Sequence, residues 1–550
     1  LQYNKNKMKP IQRFWGLLKQ DKRDLMYLYL YAVCNGVINL SLPIGIQAIM
    51  GLVLAGRLST SWGILTVIVM LGVAVAGIFQ IMQLYIVEIL QRRLFARAAF
   101  DFAYRIPKFK LKKLGNYYAP ELVNRFFDTV TIQKSLSKIL MDFSTSILQI
   151  IFGLILLSLY HPVFIAFGFV LLVVLFLIIY ITSKPGMRTS LEESNNKYEM
   201  AFWLTELARA LPTFKLSEAS NLNLKRTDEI VNNYINSRKK HFRVLLGQYG
   251  SIIGLKTLVT AGLLVIGAIL LIQNSITIGQ FVASEIVIIL ILNSSEKLIM
   301  SMEAIYDVLT SIEKMGKVTD MEIEHPIKNA LALNPSEKIG IELKHLDIFG
   351  TLEQNRINQD INLKIIAGTN VCLTGDAGSG KTSILKIVST SIDNYEGTVL
   401  FNDIPLQNLD LEELRKEIGC IFDDQEIFYG TFIENISLGR KNVSDADVVK
   451  IAQEVGLDRL ILSFPKGYNH VIMNADRVFS GTDRVRLLTA RALITDPKLI
   501  FVEDLFTGLK EEYSELLLRL LLDRCKDKTL VIVSNNERVK KECDNIIELK

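Results

Sequence analysis

The sequence contains little cysteine, and long stretches of its first 310 residues contain no charged residue. Only 5 cysteines occur in 550 residues. They lie far apart and form no Cys-x-x-Cys pair, so no disulfide framework is indicated and reduced thiols are expected. Low-complexity tracts and internal repeats are also lacking, and the length leaves room for two or three ordinary domains.

The uncharged stretches have the length of membrane-spanning helices. Leu25–Gly56 and Leu58–Val87 each exceed the roughly 20 residues that a span needs. Phe143–Ser183 and Thr257–Ser284 contain no Asp, Glu, Lys or Arg. Dividing the long runs at their breaks predicts six spans, and no soluble core accounts for six such runs. The predicted spans lie near residues 25–53, 60–90, 135–159, 163–183, 248–272 and 277–300.

Basic residues mark one side of these spans. They precede the first span and crowd the long loops after the second and fourth spans, whereas the other three connections are short and nearly uncharged. The positive-inside rule therefore places both termini and the two long loops in the cytoplasm. Residues 10–19 are amphipathic and predict a helix lying at the inner membrane interface. The net charge of +5 does not call for a nucleic-acid partner.

The pattern of residues predicts four regions. Residues 1–24 form the interfacial region, and residues 25–318 form a transmembrane domain with two cytoplasmic helical hairpins, whose tips are expected near 114–116 and 211–213. A linker follows at 319–336. From residue 337 to 550, short apolar strands alternate with helices, which indicates a parallel α/β sheet.

A phosphate-binding loop is predicted at 371–383, VCLTGDAGSGKTS. Glycines let backbone N–H groups close around phosphate oxygens, Lys381 supplies a charge for the β- and γ-phosphates, and Thr382 supplies a hydroxyl for Mg²⁺. A glycine turn with a chance Lys-Thr pair is the alternative, but the apolar strand before the loop and the helix after it favour the phosphate loop. The predicted nucleotide contacts are Gly375, Asp376, Ala377, Gly378, Ser379, Gly380, Lys381, Thr382 and Ser383.

Six spans, long inward hairpins and a C-terminal phosphate-loop domain resemble an ABC exporter half-transporter. Further motifs follow in the family's order: FYGTFIENI at 428–436, FSGTDRVRLLTARAL at 479–493, LIFVED at 499–504 and TLVIVSN at 529–535. The resemblance implies a multi-domain membrane protein, with a six-helix α transmembrane domain of the ABC exporter type and an α/β nucleotide-binding domain. It also implies ATP and Mg²⁺ as cofactors and the bacterial inner membrane as the location.

The same resemblance assigns further site residues. Ser480 and Gly481 are what remains of the signature that contacts nucleotide across a dimer. Thr382, Glu503 and Asp423 are expected around Mg²⁺, through nucleotide and water. Phe349 is the nearest candidate for stacking on adenine, and a core phenylalanine is an equally good interpretation of that residue.

Several positions depart from the family pattern. Asp504 occupies the catalytic-base position and is one methylene shorter than the usual glutamate, while Asn535 replaces the switch histidine. Because a base must reach its proton, a shortfall of about 1 Å can cost on the order of 100-fold in rate. Thr482 and Asp483 replace a glycine and a glutamine of the signature. The loop for phosphate is intact while these positions are changed, so we expect nucleotide binding with weak or absent hydrolysis.

In the family each ATP lies between one subunit's phosphate loop and the other subunit's signature. Because the altered base and the altered signature are on one chain, both composite sites would be compromised in a homodimer and in a heterodimer alike. The expected partners are a second half-transporter subunit, the lipid bilayer and an exported peptide or protein.

The phrases LPIGIQAIMGLVL and ELARALPTFKLSEASN resemble the type I secretion group, in which a periplasmic adaptor and an outer-membrane channel are further candidate partners. A hydrophobic solute also remains open as cargo. The rival interpretation is an ATP-binding membrane scaffold or regulator of a secretion complex that does not pump.

Two of the charged residues within the predicted spans are candidates for a functional role. Glu285 lies in the sixth span and Lys256 in the fifth, and an intramembrane carboxylate is a candidate functional group. Because the two spans are antiparallel neighbours, Lys256 is a candidate ion-pair partner of Glu285.

Overall fold

The computed structural model describes most of the chain as two compact units divided near Met321. The residues described are 10–54, 60–110, 119–217, 220–324, 327, 330–350, 356–473, 479–504, 506 and 509–549. The first predicted hairpin tip, near 114–116, lies outside them.

The first unit is helical. Its helices are α1 (Pro10–Lys19), α2 (Lys22–Asn39), α3 (Ser41–Leu54), α4 (Thr60–Arg105), α5 (Ala119–Asn124), α6 (Asp128–Lys138), α7 (Ser144–Tyr160), α8 (Val163–Arg209), α9 (Leu211–Leu216), α10 (Leu222–Ile272) and α11 (Ile278–Thr319). A π-helical turn, Ile139–Phe143, joins α6 to α7. Among the described residues, six helical segments are long and apolar enough to cross a membrane, which confirms the predicted fold class.

The first predicted span is two helices rather than one. α2 ends at Asn39 and α3 begins at Ser41. Pro43 lies in the first turn of α3, where its missing N–H and its ring prevent the α2 hydrogen-bond ladder from continuing through this point. The break therefore follows from one residue inside an otherwise uninterrupted apolar run.

The suggested pairing of Lys256 with Glu285 is wrong. In the structure the Lys256 ammonium bonds to the carboxylate of Glu296. α10 and α11 run antiparallel about a turn near Ser275, and Lys256 and Glu296 both lie about twenty residues from it, whereas Glu285 lies only about ten residues away. The antiparallel register, rather than side-chain reach, selects the partner.

The second unit is built from short strands and helices. Its strands are β1 (Ile341–Phe349), β2 (Arg356–Ile365), β3 (Asn370–Gly375), β4 (Tyr395–Phe401), β5 (Ile404–Pro405), β6 (Ile418–Ile421), β7 (Gly430–Thr431), β8 (Val471–Ile472), β9 (Leu499–Val502), β10 (Thr529–Val533) and β11 (Asn545–Leu549). Its helices are α12 (Lys381–Val388), α13 (Leu411–Lys416), α14 (Phe432–Ser437), α15 (Asp445–Glu454), α16 (Asp458–Leu462), α17 (Gly481–Leu493), α18 (Glu511–Arg524) and α19 (Glu537–Glu542).

The strands form separate sheets rather than the one parallel sheet that was predicted. A parallel sheet has the order β11-β3-β10-β9-β6, and an antiparallel sheet has the order β2-β1-β4-β5. β1 and β2 are joined by only a short connection, which cannot make the crossover that parallel pairing requires. Two of the short apolar strands that follow residue 337, β1 and β4, therefore pair in the antiparallel sheet.

The phosphate-loop strand lies inside the parallel sheet. β3 has β10 on one side and β11 on the other. Four consecutive residues, Val371–Thr374, are buried, as expected for a strand covered on both faces. Because β3 is paired on both sides and buried on both faces, its carboxyl end has a defined position. The phosphate loop begins at this end.

Candidate functional site

The loop after β3 has the backbone that its glycines predict. Gly375, Gly378 and Gly380 have φ angles of +147°, +89° and +83°. A Cβ at residue 375 would lie 2.3 Å from the carbonyl oxygen of Leu549, so this position has no room for a side chain. Residues 376–378 are exposed, and the loop then turns directly into α12. Backbone N–H groups at such a turn and helix start form an anion-binding concavity.

Lys381 lies across this loop. Its Nζ donates to the carbonyl oxygens of Gly375 at 2.8 Å and Asp376 at 2.5 Å, and to Ser379 Oγ at 3.2 Å. The ammonium is therefore held where the loop would close on a phosphate. Ser383, the last predicted contact, lies in the first turn of α12 and is partly buried.

The three residues predicted to surround Mg²⁺ are brought together. Thr382 Oγ1 donates to Glu503 Oε1 at 2.9 Å. The other Glu503 oxygen accepts the backbone N–H of Asp423 at 3.1 Å. Glu503 thus joins the start of α12 to the segment after β6, although the three residues are far apart in the sequence.

The residues at the base and switch positions are engaged differently. Asp504 Oδ1 lies 3.5 Å from the hydroxyl oxygen of Ser534, a long contact. The Asn535 amide bonds the first loop glycine twice: its Nδ2 donates to the carbonyl of Gly375 at 3.1 Å, and the N–H of Gly375 donates to its Oδ1 at 3.3 Å. Asn535 therefore braces the loop from the side.

The signature serine is held by its own helix. Ser480 is the N-cap of α17, and its hydroxyl oxygen accepts the N–H of Asp483 at 3.2 Å. The same hydroxyl donates to Asp483 Oδ2 at 2.6 Å, and Arg486 donates to Oδ1 at 3.2 Å. Gly481 is exposed at the first position of α17. The Asp483 carboxylate is consequently compensated by its neighbours.

Phe349 lies at the end of β1 and is half-buried. Its backbone N–H and carbonyl both bond to Asn394. The neighbouring strand β2 contacts the phosphate loop, because Asn358 Nδ2 donates to the carbonyl of Ser379 at 3.0 Å. Phe349 is therefore in the sheet that borders the loop, and its role toward a base stays a prediction.

Two arginines of α17 were missed from the sequence. Arg484 donates to the carbonyl oxygens of Asp423 at 2.8 Å and Gln425 at 3.1 Å. Arg491 is buried and donates to the carbonyls of Asn435 and Glu426, and its burial, together with nearby Arg440, lowers the pKa of Arg491 to about 10. Arg484 and Arg491 are two helical turns apart and so lie on one face of α17. This spacing is the sequence signal that could have identified them.

Replacing Arg484 with methionine is expected to loosen the segment 423–428. The change removes two hydrogen bonds from a charged donor, each worth about 1.5–3 kcal/mol. Amide hydrogen exchange across this segment should accelerate at least about tenfold. Arg519→Met is the matched control, because Arg519 is exposed on α18 and pairs only with its helix neighbour Glu515 among the contacts described. Unchanged exchange in the Arg484 variant would contradict a bracing role.

The residues present fit a nucleoside triphosphate with Mg²⁺. The loop offers N–H groups, Lys381 and helix α12 to phosphates, and Thr382 and Glu503 offer oxygen ligands, which Mg²⁺ prefers. Within the described part of the chain, no group of three or more His, Cys, Asp or Glu side chains could hold a metal by itself. A Mg²⁺ ion at this place would therefore take most of its ligands from phosphate and water, as is usual at such sites.

Two family models match the chain. Residues 25–295 match the ABC transporter transmembrane region, and residues 358–506 match the ABC transporter domain. The structure is also similar to that of a bacterial Atm1-family ABC exporter with ATP bound, with a TM-score of 0.87. That likeness covers 96% of this chain and 93% of the other at 17% identity, so it concerns the fold alone.

Curated relatives give the same assignment. YknV of Bacillus subtilis, described as an uncharacterized ABC transporter ATP-binding protein, is 30% identical over 53% of this chain and 48% of its own length. The alpha-hemolysin translocation ATP-binding protein HlyB of Escherichia coli O157:H7 is 26% identical over 66% of this chain and 51% of its own.

The ATP-dependent lipid A-core flippase of Legionella pneumophila (strain Paris) is 27% identical over 57% of this chain and 53% of its own length. The chain therefore spans about half the length of these relatives. The two family models follow the two units of the structure, and the phosphate loop lies within the second of them. This chain belongs to the ABC transporter family.

Proposed function

We propose that the chain is an export half-transporter that dimerises, binds ATP with Mg²⁺ and hydrolyses ATP slowly or not at all. The place of action is the bacterial inner membrane, with the nucleotide-binding unit in the cytoplasm. The cargo is a peptide, a protein or a hydrophobic solute. The names of two relatives, a hemolysin translocation protein and a lipid A-core flippase, support these classes of cargo.

The observation that carries this proposal is the contrast between the phosphate loop and the groups around it. Gly375, Lys381 and Thr382 have the geometry that phosphate and Mg²⁺ need. Asn535, at the switch position, uses both its amide nitrogen and its amide oxygen in hydrogen bonds to the backbone of Gly375. Binding is thus supported by the structure of the loop, while a group expected to act on the γ-phosphate is engaged elsewhere.

The inverted acidic pair supports the same conclusion. Glu503 bonds both Thr382 and the backbone of Asp423, which suits an acid that serves the metal. The next residue, Asp504, has the shorter side chain at the position where a longer one would reach an attacking water. General-base catalysis contributes about 10²–10⁴-fold, so a base out of reach accounts for a large loss of rate.

The signature adds a second reason for slow turnover. Asp483 brings a negative charge into the signature, and such a charge opposes a phosphate across the dimer. In the structure this charge is balanced by Ser480 and Arg486, so the stronger effect is on Ser480 itself. A hydroxyl that donates to Asp483 must break that bond before it can donate to a nucleotide of the partner subunit.

The test is to measure binding and turnover on the same preparation in liposomes. ATP with Mg²⁺ should raise the thermal midpoint in a saturable way, and removing Mg²⁺ with EDTA should reduce the effect. Phosphate release should stay below about 1 s⁻¹, under the middle of the general enzyme range. Release at about 1–10 s⁻¹ would contradict slow turnover.

The same preparation separates transport from the rival scaffold function. A transporter should rearrange its membrane helices when ATP binds, which paired spin labels on α4 and α10 would report. ATP binding without any rearrangement would favour a scaffold that lends its membrane domain to a larger complex.

A further inference from the structure

An apolar cavity lies inside the first unit, beneath the interfacial helix α1. Its volume is about 480 Å³, within the range of about 300–1,000 Å³ typical of small-molecule sites. Its walls come from α1, from α2, from the π-helical turn with the start of α7, and from the part of α11 near Val308. Of the lining side chains described, only Trp15, Tyr29 and Ser144 carry polar atoms.

The cavity is open on the faces of α1 and α2. Phe14, Trp15 and Leu18 line it from α1, and Tyr29 and Val33 line it from α2. Leu18 is buried, but Trp15 is 62% exposed and Tyr29 is 42% exposed. Aromatic side chains of this kind are enriched where the membrane meets water. The opening therefore faces the level of the inner membrane interface, where α2 enters the bilayer.

Positive charge continues these same helix faces. Lys19 follows Trp15 by one turn on α1, and Lys22 precedes Tyr29 by two turns on α2, so each basic residue extends a cavity-lining face to its exposed end. Lys19 and Lys22 are both exposed. The two helices are separated only by the turn at 20–21, so both lysines lie at the junction of the two helices that line the cavity.

The acidic groups at this junction are already neutralised. Asp21 accepts two hydrogen bonds from Arg97, both at 2.7 Å, and one from Arg93 at 3.2 Å. Asp24 also bonds to Arg93. The local charge that remains for a ligand is therefore positive.

We infer that this cavity holds one acyl chain of an anionic phospholipid from the inner leaflet, with the phosphate of the headgroup at Lys19 and Lys22. The apolar walls match a hydrocarbon chain, and burial of each methylene contributes to binding. The two lysines match an anionic headgroup, because basic residues at this depth attract anionic lipids. The same two helices supply apolar cavity walls and exposed lysines. This combination favours a lipid over a soluble ligand.

Trp15 makes the inference measurable. The chain has 3 tryptophans, and Trp62 and Trp203 can be replaced by phenylalanine so that Trp15 alone fluoresces. The full chain is delipidated in detergent and titrated with phosphatidylglycerol whose acyl chains are brominated, which quench on contact. We expect quenching of Trp15 that saturates at about one lipid per chain. A second variant, in which Trp15 and Trp203 are replaced by phenylalanine and Trp62 alone remains, is the matched reporter. Trp62 is 44% exposed on α4 and should show only unsaturable quenching.

Two variants separate the acyl site from the headgroup site. Val33→Phe fills part of the cavity and should abolish saturable quenching, whereas Val67→Phe, on the exposed face of α4, should leave it unchanged. Lys19→Glu with Lys22→Glu should weaken phosphatidylglycerol binding at least about tenfold and remove its advantage over phosphatidylcholine. Because Val33 and both lysines lie at exposed positions, these changes should not prevent folding.

Three outcomes would overturn the inference. Trp15 quenching that rises without saturation, as for Trp62, would mean ordinary solvation by the micelle. Trp15 protected from every brominated lipid would mean that a second subunit covers the opening. Equal affinity for phosphatidylglycerol and phosphatidylcholine, with no effect of the lysine changes, would exclude the anionic headgroup.

Discussion

Replacing Lys381 with alanine is expected to abolish the stabilisation of the protein by ATP. At an ATP concentration of 100 times the dissociation constant, a ligand that binds only the folded state contributes about 2.7 kcal/mol. Lys381 Nζ donates hydrogen bonds to three oxygen atoms of the phosphate loop. The alanine variant therefore lacks the positive charge that this loop offers to phosphates. The thermal midpoint of the purified chain with and without ATP–Mg²⁺ measures the loss.

Lys386→Ala is the matched control for this change. Lys386 lies on the same helix, α12, but its ammonium bonds to Asp424 at 2.5 Å rather than to the loop. This variant should keep the full ATP-dependent shift. If the Lys381 variant also keeps it, the loop at 375–382 is not where the nucleotide binds.

Restoring the altered positions together is expected to raise ATP hydrolysis by about 100-fold or more. The combined variant carries Glu503→Asp, Asp504→Glu, Asn535→His, Thr482→Gly and Asp483→Gln. It returns a longer base, frees Gly375 from the Asn535 amide and replaces the charged carboxylate that accepts the Ser480 hydroxyl by a neutral amide. Because such groups act as a unit, each single change should do little.

Phosphate release in liposomes measures the gain. The same combination with Lys381→Ala is the control, and it should show no release, which excludes a contaminating ATPase. A combined variant that binds ATP normally but gains no rate would place the limit on turnover outside these positions, for example in closure of the membrane helices. The proposal of slow hydrolysis caused by the altered motifs would then be wrong.

Some features of the site could be predicted because they are local. The phosphate loop is one continuous segment, and its glycines specify positive φ angles without help from the rest of the chain. The start of α12 at Lys381 follows directly from the loop. The position of Glu503 beside Thr382 was predictable only through the family resemblance, because the contact joins residues on different strands and helices.

Other features had weak signals that were overlooked. β2 begins with polar residues, and its alternating pattern emerges only at Ile361, Leu363 and Ile365, which are buried. β11 is short and close to the C-terminus, yet it pairs with β3 and contributes the carbonyl of Leu549 that leaves no room for a side chain at Gly375. In both strands the decisive contacts come from pairing rather than from propensity.

The sequence by itself determined the features that depend on composition and short segments. Uncharged runs of spanning length indicated six membrane-spanning helices, because a helix satisfies its backbone hydrogen bonds within one segment. Six helices of sufficient length and apolarity occur among the described residues. Glycine spacing determined the phosphate loop. The break in the first span at Pro43 was not predicted, although one proline in the sequence accounts for it.

Only the tertiary structure decided which distant groups meet. It paired Lys256 with Glu296 through helix register, and it placed β1 and β4 in an antiparallel sheet. It also directed Arg484 to the segment after β6 and Asn535 to Gly375. Each of these contacts depends on how elements far apart in the chain are aligned, and alignment is set by packing over whole helices and sheets rather than by the residues that finally touch.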